Sequence, residues 1–521
     1  MNAKKFVVLL WVALLVVGCA PKPTTVVATY EVQKTQAVEF APQPIYERPQ
    51  SAAEPISRSV PQPTAAAVVA PRDVQFQDAG VNPYVDTYRD HLSTFALDVD
   101  TASYTVMRNY ITQGSLPPYE SVRVEEYINY FAPGYEPTND TFAIYADGAP
   151  SPFTRGEILL RIGIQGYDVP DRERKPAALT FVIDKSGSMS QDGRMQMVKD
   201  ALSALVEGMG PEDTIAVVAY DTRAYTVLEP TRATNYSEIM RVINRLQPGG
   251  TTNVDEGLQL GYQLAMRGYM PGGINRVVLC SDGVANTGLV QPEQILAQVQ
   301  GYVDEGITLT TIGVGMGNYN DELLEKLADR GDGVYFYVDS NEEARRVFVD
   351  NLTSTLQVIA LDAKVQVDFN PELVEEYRLV GYENRAVADQ DFRNDAVDGG
   401  ELGAGHTATA LYVLRLVPNA EGRIATVQLR WQDPDTYEVV EINGNVNTWN
   451  LAKDFYSTDV YFQRTVIVAQ FAELLRQSPY AGRTSFADLS EMADDLCRQM
   501  PRDQDTQELA DLIARAARLS R

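Results

Sequence analysis

Between residues 176 and 351 the sequence alternates short apolar segments with segments of helical periodicity. The first two apolar segments, residues 178–183 and 214–220, are almost continuously hydrophobic and have the length of strands. Strands that are apolar along their whole length lie in parallel sheets that helices cover on both faces. The sequence therefore predicts an α/β fold with a doubly wound, mostly parallel sheet in this block.

The segments on either side have different patterns. Residues 83–165 mix strand and helix patterns, which predicts a small α+β N-terminal region. Beyond the α/β block, short apolar segments separated by turns predict a β-rich unit over 357–450, and helical periodicity follows over 455–521. We therefore expect a C-terminal domain, residues 352–521, that is β-rich and then helical.

The N-terminus has the features of an export signal. Two lysines precede an apolar run, Phe6–Val17, which is too short to span a membrane. The run leads to Cys19 in a pattern that resembles a bacterial lipobox, in which the cysteine is acylated, for example with palmitate. We predict a lipoprotein signal peptide over residues 1–18, with a plain secretory signal as the alternative. Because Ala20 and not Asp follows the cysteine, we expect a cell-envelope protein anchored in the outer membrane of a two-membrane bacterium, on its periplasmic face or its surface.

Residues 19–82 are predicted to be a disordered tether. They contain nine prolines and no sustained hydrophobic period. A partly polyproline segment of this length, at ~3.1 Å per residue, would span on the order of 100–200 Å. The sequence thus predicts a folded body that works well away from the membrane.

Composition excludes several functional classes. Asp and Glu total 71 against 44 Lys and Arg, a formal net charge of −27, which argues against nucleic acid as a partner. Three cysteines exclude a disulfide scaffold or a cysteine-rich zinc module. Two histidines, His91 and His406, leave few candidates for a catalytic triad or a histidine-ligated metal. We therefore expect no enzymatic activity.

Three loops carry side-chain oxygens at predicted strand ends. Asp184, Ser186 and Ser188 follow the first apolar segment, residues 249–252 precede a helix, and residues 281–283 follow another strand. In open α/β sheets ligands bind at the carboxyl ends of the strands. Hard cations such as Mg²⁺ prefer oxygen ligands. The pattern therefore predicts a cation site.

These motifs, in this order on alternating strands and helices, resemble a von Willebrand factor type A (VWA) domain with its metal-ion-dependent adhesion site (MIDAS). The resemblance implies the VWA fold and a bound Mg²⁺, with Mn²⁺ or Ca²⁺ as alternatives. It also implies five ligand positions: Asp184, Ser186, Ser188, Thr252 and Asp282. Thr251 is the alternative to Thr252. In the family the hydroxyls contact the metal, the aspartates act largely through waters, and one coordination position stays open for a carboxylate of the partner.

The resemblance extends to both flanking regions. Residues 98–104, 113–118 and 126–131, and farther along 317–321 and 403–407, resemble the YfbK-type group of bacterial lipoproteins. We therefore expect a membrane-anchored, metal-dependent binding or adhesion module whose protein partner offers an Asp or Glu carboxylate. Two alternatives stay open: a structural envelope scaffold with a non-essential metal site, and a metal-assisted hydrolase.

Overall fold

The computed structural model describes residues 24–25, 29–31, 76, 78–191, 193–283, 292–315, 321–397 and 399–520. The predicted signal peptide, the predicted lipid-bearing Cys19 and most of the predicted tether lie outside this set. Within it, no helix combines the length and the apolar character that crossing a bilayer requires.

The described residues before the α/β block form six strands and two α-helices. They are β1 (Thr24–Thr25), β2 (Thr29–Glu31), β3 (Val85–Asp86), β4 (Leu92–Ala96), α1 (Ala102–Thr112), α2 (Val124–Asn129), β5 (Phe142–Pro150) and β6 (Ile158–Gly166). β1 and β2 fall within the range predicted as a tether. They pair with the edges of longer strands, and edge pairing uses backbone groups, so it requires no hydrophobic period.

In the central block, the described residues form six strands and seven α-helices. They are β7 (Ala177–Asp184), α3 (Arg194–Gly208), β8 (Thr214–Tyr220), β9 (Ala224–Arg232), α4 (Tyr236–Ile243), α5 (Val254–Arg267), β10 (Ile274–Ser281), α6 (Pro292–Val303), β11 (Thr308–Val314), α7 (Asp321–Asp329), β12 (Tyr335–Val338), α8 (Asn341–Arg345) and α9 (Leu352–Leu356). The last part of the chain contributes β13 (Val358–Phe369), β14 (Val374–Val380), β15 (Gly400–Gly403), β16 (Thr407–Leu416), β17 (Arg423–Gln432), β18 (Val439–Asn447), α10 (Val460–Leu475), α11 (Phe486–Gln499) and α12 (Gln504–Leu519).

The central block forms one six-stranded sheet in the order β12-β11-β10-β7-β8-β9. Five of these strands are parallel, and β9 alone is antiparallel to its neighbour β8. The predicted doubly wound, mostly parallel sheet is therefore confirmed. The sequence analysis missed β9, because this edge strand is largely half-buried and contains Pro230, which a sheet tolerates at its edge.

The segments before and after the α/β domain together form a second body. β5 and β6 lie in one sheet with β14 and β16, while β4 pairs with β13 in a sheet that also holds β17 and β18. The two sheets enclose a core that includes Phe95, Phe142, Val365 and Trp431. Strands far apart in the chain are thus neighbours, and the α/β domain is an insertion between β6 and β13.

A helical layer covers the outer face of the sheet that contains β5 and β16. α10, α11 and α12 pack with α1 and α2 around a core that includes Tyr104, Phe462 and Ile513. α10 is buried almost all round, as its many apolar positions predict. The β-rich and helical parts predicted for the C-terminal region are therefore both present.

α1 joins the two bodies by packing against β12, the edge strand of the α/β sheet. Thr105 Oγ1 donates to the carbonyl of Tyr337 at 3.0 Å, and the amide of Tyr335 donates to Asp100 Oδ1 at 3.0 Å. Arg108, on the same helix, forms ion pairs with Asp339 and Glu343. The α/β domain is consequently held by one of its sheet edges.

A second arginine, Arg385, whose side chain is 15% exposed, crosses the same junction. Arg385 donates to Asp98 at 3.2 Å, to Asp100 at 3.3 Å and to Asp329 of α7 at 2.6 Å. Removing one partner of such a buried cluster leaves uncompensated charge, which typically costs about 3–5 kcal/mol. The junction therefore depends on both bodies being present.

Near this junction Glu126 of α2 should make the stability depend on pH. Its side chain is buried, accepts from the amide of Ser103 at 2.7 Å and pairs with Arg123 at 3.2 Å. Burial raises the pKa of Glu126 from 4.5 to about 8. A carboxyl whose pKa is higher in the folded state stabilises the fold below its unfolded pKa, and this contribution is lost as the pH rises through the folded pKa.

We expect the free energy of unfolding to fall by roughly 2–4 kcal/mol between pH 5 and pH 8.5 on account of Glu126. Urea denaturation at both pH values measures the total change, and Glu126→Gln should make that change smaller by this amount. Glu491→Gln, at an exposed position of α11, is the matched control and should leave the pH dependence unchanged. An equal pH dependence in the wild type and Glu126→Gln would contradict the prediction.

Candidate metal site

The first predicted loop begins where β7 ends. Asp184 is the last residue of the strand and is fully buried, and its Oδ1 accepts from the amide of Ser186 at 2.7 Å. The hydroxyl oxygens of Ser186 and Ser188 lie 2.9 Å apart. One carboxylate and two hydroxyls thus converge within a single turn at the carboxyl end of a central strand.

The second loop is hydrogen-bonded to the first. The amide of Gly187 donates to the carbonyl of Gly250 at 3.1 Å, and the amide of Gly249 donates to the carbonyl of Lys185 at 2.7 Å. Gly250 has a φ of +89° and packs against Asp221, and a side chain at this position would collide with Asp221. This glycine is therefore required for the close approach of the two loops.

The structure distinguishes the two threonines of the second loop. Thr252 is buried directly ahead of α5. Thr251 is exposed, and its hydroxyl donates to Thr222 Oγ1 at 3.1 Å. Thr252 is therefore the buried one of the two threonines, and Thr251 is the exposed one.

The third loop meets the first through two side chains. Ser281 Oγ, at the end of β10, donates to Asp184 Oδ2 at 3.0 Å. The next residue, Asp282, is fully buried. Residues 284–291, which continue this loop, lie outside the described residues. All five predicted ligand positions are thus on three loops at one edge of the sheet, and hydrogen bonds join the first loop to each of the other two.

A buried arginine that the sequence analysis missed also reaches this site. Arg194, the first residue of α3, donates from Nη1 to Asp282 Oδ2 at 2.8 Å. Its side chain passes over Gly315, where an added Cβ would lie 2.0 Å from Arg194 Nε. No sequence pattern indicated this contact, because Arg194 and Asp282 are 88 positions apart.

The electrostatics of the site favour a bound positive charge. Burial and, to a smaller extent, the nearby Asp282 carboxylate raise the pKa of Asp184, while hydrogen bonds from Ser186 and Ser281 oppose this shift, and together they bring the pKa to about 6. Asp282 Oδ1 is buried, and no donor in the described part of the chain forms a hydrogen bond to it. A buried carboxylate oxygen without a donor is costly unless a cation or water contacts it.

The donor set fits a hard cation. It consists of two carboxylates and three hydroxyls, which are the oxygen ligands that Mg²⁺, Mn²⁺ and Ca²⁺ prefer. Among the described residues there is no cluster of three or more His, Cys, Asp or Glu side chains placed to hold a metal. Most ligands of a cation at this site would therefore be neutral hydroxyl groups.

Three family descriptions match consecutive parts of the chain. The von Willebrand factor type A domain matches residues 178–353, a further von Willebrand factor family matches residues 70–161, and "Uncharacterized protein YfbK, C-terminal" matches residues 354–519.

Several known proteins are similar in sequence to large parts of the chain. The chain is 34% identical to the protein described as YfbK of Escherichia coli (strain K12) over 82% of its own length and 79% of that protein. It is 27% identical to the protein sll0103 of Synechocystis over 61% of this chain and 76% of that protein. Inter-alpha-trypsin inhibitor heavy chain H3 of Bos taurus is 26% identical over 44% of this chain, which spans 25% of that protein.

Among solved structures, a von Willebrand factor type A protein from Catenulispora acidiphila covers 70% of this chain, with 15% identity and a TM-score of 0.41. VWA domains typically mediate protein–protein interaction or adhesion and are generally not enzymes. Because the relationship to YfbK covers most of both proteins, the chain belongs to the YfbK family of VWA-domain proteins.

Proposed function

We propose that this protein is a metal-dependent binding module of the cell envelope that recognises a carboxylate of a partner protein through a divalent cation. The observation that carries the proposal is that hydrogen bonds join three loops at one edge of the sheet, where Asp282 Oδ1 is a buried carboxylate oxygen without a hydrogen-bond donor in the described structure. Asp184, Ser186, Ser188 and Thr252 would complete the ligand set. When bound, the cation would supply a positive charge that attracts the partner.

The charges of the site explain why a carboxylate suits it. Asp184 and Asp282 carry −2 and Arg194 carries +1, so these three side chains of the described structure sum to −1 without a metal. A divalent cation changes this sum to +1. Neutral hydroxyl ligands do not reduce the charge of the cation further, so an acidic partner group is attracted even though the protein as a whole is acidic.

Envelope location is a second part of the proposal. The lipobox-like sequence that ends at Cys19 is its support, and it would anchor the mature chain through a lipid, in the outer membrane of a two-membrane bacterium. Labelling of growing cells with a palmitate analogue tests this point, because Cys19→Ser should lose the label.

Mg²⁺ should stabilise the folded protein through this site. A ligand at about 100 times its Kd stabilises the native state by ~2.7 kcal/mol. We expect thermal unfolding to shift upward with Mg²⁺ in the wild type and to be insensitive to it in Asp184→Ala and Thr252→Ala. Thr251→Ala is the matched control and should respond as the wild type does, because its hydroxyl is exposed and bonded to Thr222. An unchanged melting curve of the wild type with and without Mg²⁺ would favour the scaffold alternative.

Arg194 should stabilise the metal-free site by pairing with Asp282. Arg194→Met would leave a buried carboxylate without its counter-charge, so we expect a loss of about 3–5 kcal/mol without Mg²⁺ and a larger Mg²⁺-dependent gain than in the wild type. Urea titrations with Mg²⁺ and with chelator measure both quantities. Arg241→Met removes an exposed arginine of the same domain and should cost less than ~1 kcal/mol. Equal Mg²⁺-dependent gains in Arg194→Met and the wild type would show that Arg194 has no such role.

Binding of a partner should depend on the same side chains. Envelope proteins retained by the immobilised chain in Mg²⁺ should be released by chelator, and Asp184→Ala and Ser186→Ala should not retain them. If both variants bind the same partner as strongly as the wild type, the metal site is not the recognition element.

A further inference from the structure

The N-terminal strands close one side of the two-sheet body. β1 pairs with β5, so that Thr24 lies opposite Ala146, and β2 pairs with β18, so that Tyr30 lies opposite Ile442. β5 and β18 are the neighbouring edges of the two sheets. The start of the described chain is therefore attached to the folded body.

A second segment of the chain lies on the same edge of β5 as β1. Gly148, two residues beyond the partner of Thr24, bridges to Leu451, and its carbonyl accepts from the amide of Ala452 at 2.7 Å. Thr24 and Leu451 are therefore neighbours along the edge of β5.

The segment that contains Leu451 carries exposed aromatic side chains. Trp449, two residues before Leu451, is 74% exposed, and Tyr456 is 67% exposed. Positions 24 and 451 lie opposite residues two apart on β5, which places them ~7 Å apart along the strand direction. Trp449 adds at most two more residues, so its backbone is within roughly 14 Å of Thr24.

The proposed lipid on Cys19 is also close to Thr24. Cys19 precedes Thr24 by five positions, and a fully extended chain of that length reaches no more than about 18 Å. The short spacer would keep the backbone of Trp449 within roughly 32 Å of the lipid attachment point, the sum of these two lengths. At the resulting high local concentration even a weak contact is populated, and Trp and Tyr are the side chains that favour the membrane–water interface.

We propose that residues 448–457 dock the folded body on the membrane, with Trp449 and Tyr456 at the level of the lipid headgroups. The proposal rests on lipid attachment at Cys19. It reverses the role expected of the proline-rich segment, which follows β2 in the chain and therefore does not separate the lipid from the body. The body is held against the bilayer by the pairing of β1 with β5.

The intrinsic tryptophans allow a direct test. The chain from Cys19 to Arg521 contains two tryptophans, Trp449 and Trp431, and Trp431 is 2% exposed. The Cys19 thiol is coupled to a maleimide lipid in phosphatidylethanolamine–phosphatidylglycerol vesicles. Cys497→Ser is introduced so that the maleimide reacts at Cys19, because the remaining thiol, Cys280, is buried. We expect at least a twofold lower emission in vesicles with brominated acyl chains than in unbrominated vesicles. Equal emission in the two kinds of vesicle would overturn the proposal.

Two variants test whether the quenching comes from Trp449 and whether it depends on the short spacer. Trp449→Phe should abolish the quenching and leave only the emission of Trp431. A 40-residue Gly–Ser insertion after Ala20 keeps the coupling but removes the confinement, so quenching should fall to near the level of Trp449→Phe. Quenching that is undiminished by the insertion would contradict the role of the short spacer. Because the coupling is chemical, the result does not depend on whether cells acylate Cys19, which the palmitate label measures separately.

Discussion

The antiparallel pairing of β6 with β16 is the constraint on which this architecture depends. Eight residue pairs, from Ile158 with Leu414 to Gln165 with Thr407, join segments that the whole α/β domain separates in the chain. The pairing brings the two ends of the inserted domain together, and the amide of Lys175 donates to the side chain of Gln357 at 3.0 Å. A domain attached at two adjacent points cannot separate from the body as a domain on one linker can.

The inserted domain is also held along β12. α1 belongs to the two-sheet body, yet Ala102 and Val106 pack in the same core cluster as Val182 and Leu279 of the α/β sheet. Arg108 and Arg385 add directional ion pairs across the junction. The VWA domain is thus held in a defined orientation by the edge of its sheet, and the candidate metal site lies at the carboxyl ends of the strands.

The candidate metal site and the proposed membrane contact draw on different properties of the chain. The metal site depends on buried negative charge. The carboxylate of Asp282 is paired with Arg194, and that of Asp184 accepts hydrogen bonds from Ser186 and Ser281. The membrane contact depends on chain length and strand register. If the metal site binds the partner and residues 448–457 contact the membrane, the carboxylate-binding surface would lie at a nearly constant distance from the bilayer.

The α/β domain could be predicted because its signals are local: each buried strand is a continuous apolar run, and the ligand motifs follow strands directly. The five ligand positions were predicted from such motifs and from the resemblance to VWA domains. Arg194 could not be found, since its contact with Asp282 is made only when β7 and β10 lie side by side. The shared sheets and the docking of Thr24 beside Leu451 likewise arise from register between distant strands. The local pattern of apolar and polar residues indicates which side chains are buried. It does not indicate which distant strands pair, because that depends on which backbone groups come together once the whole chain has folded.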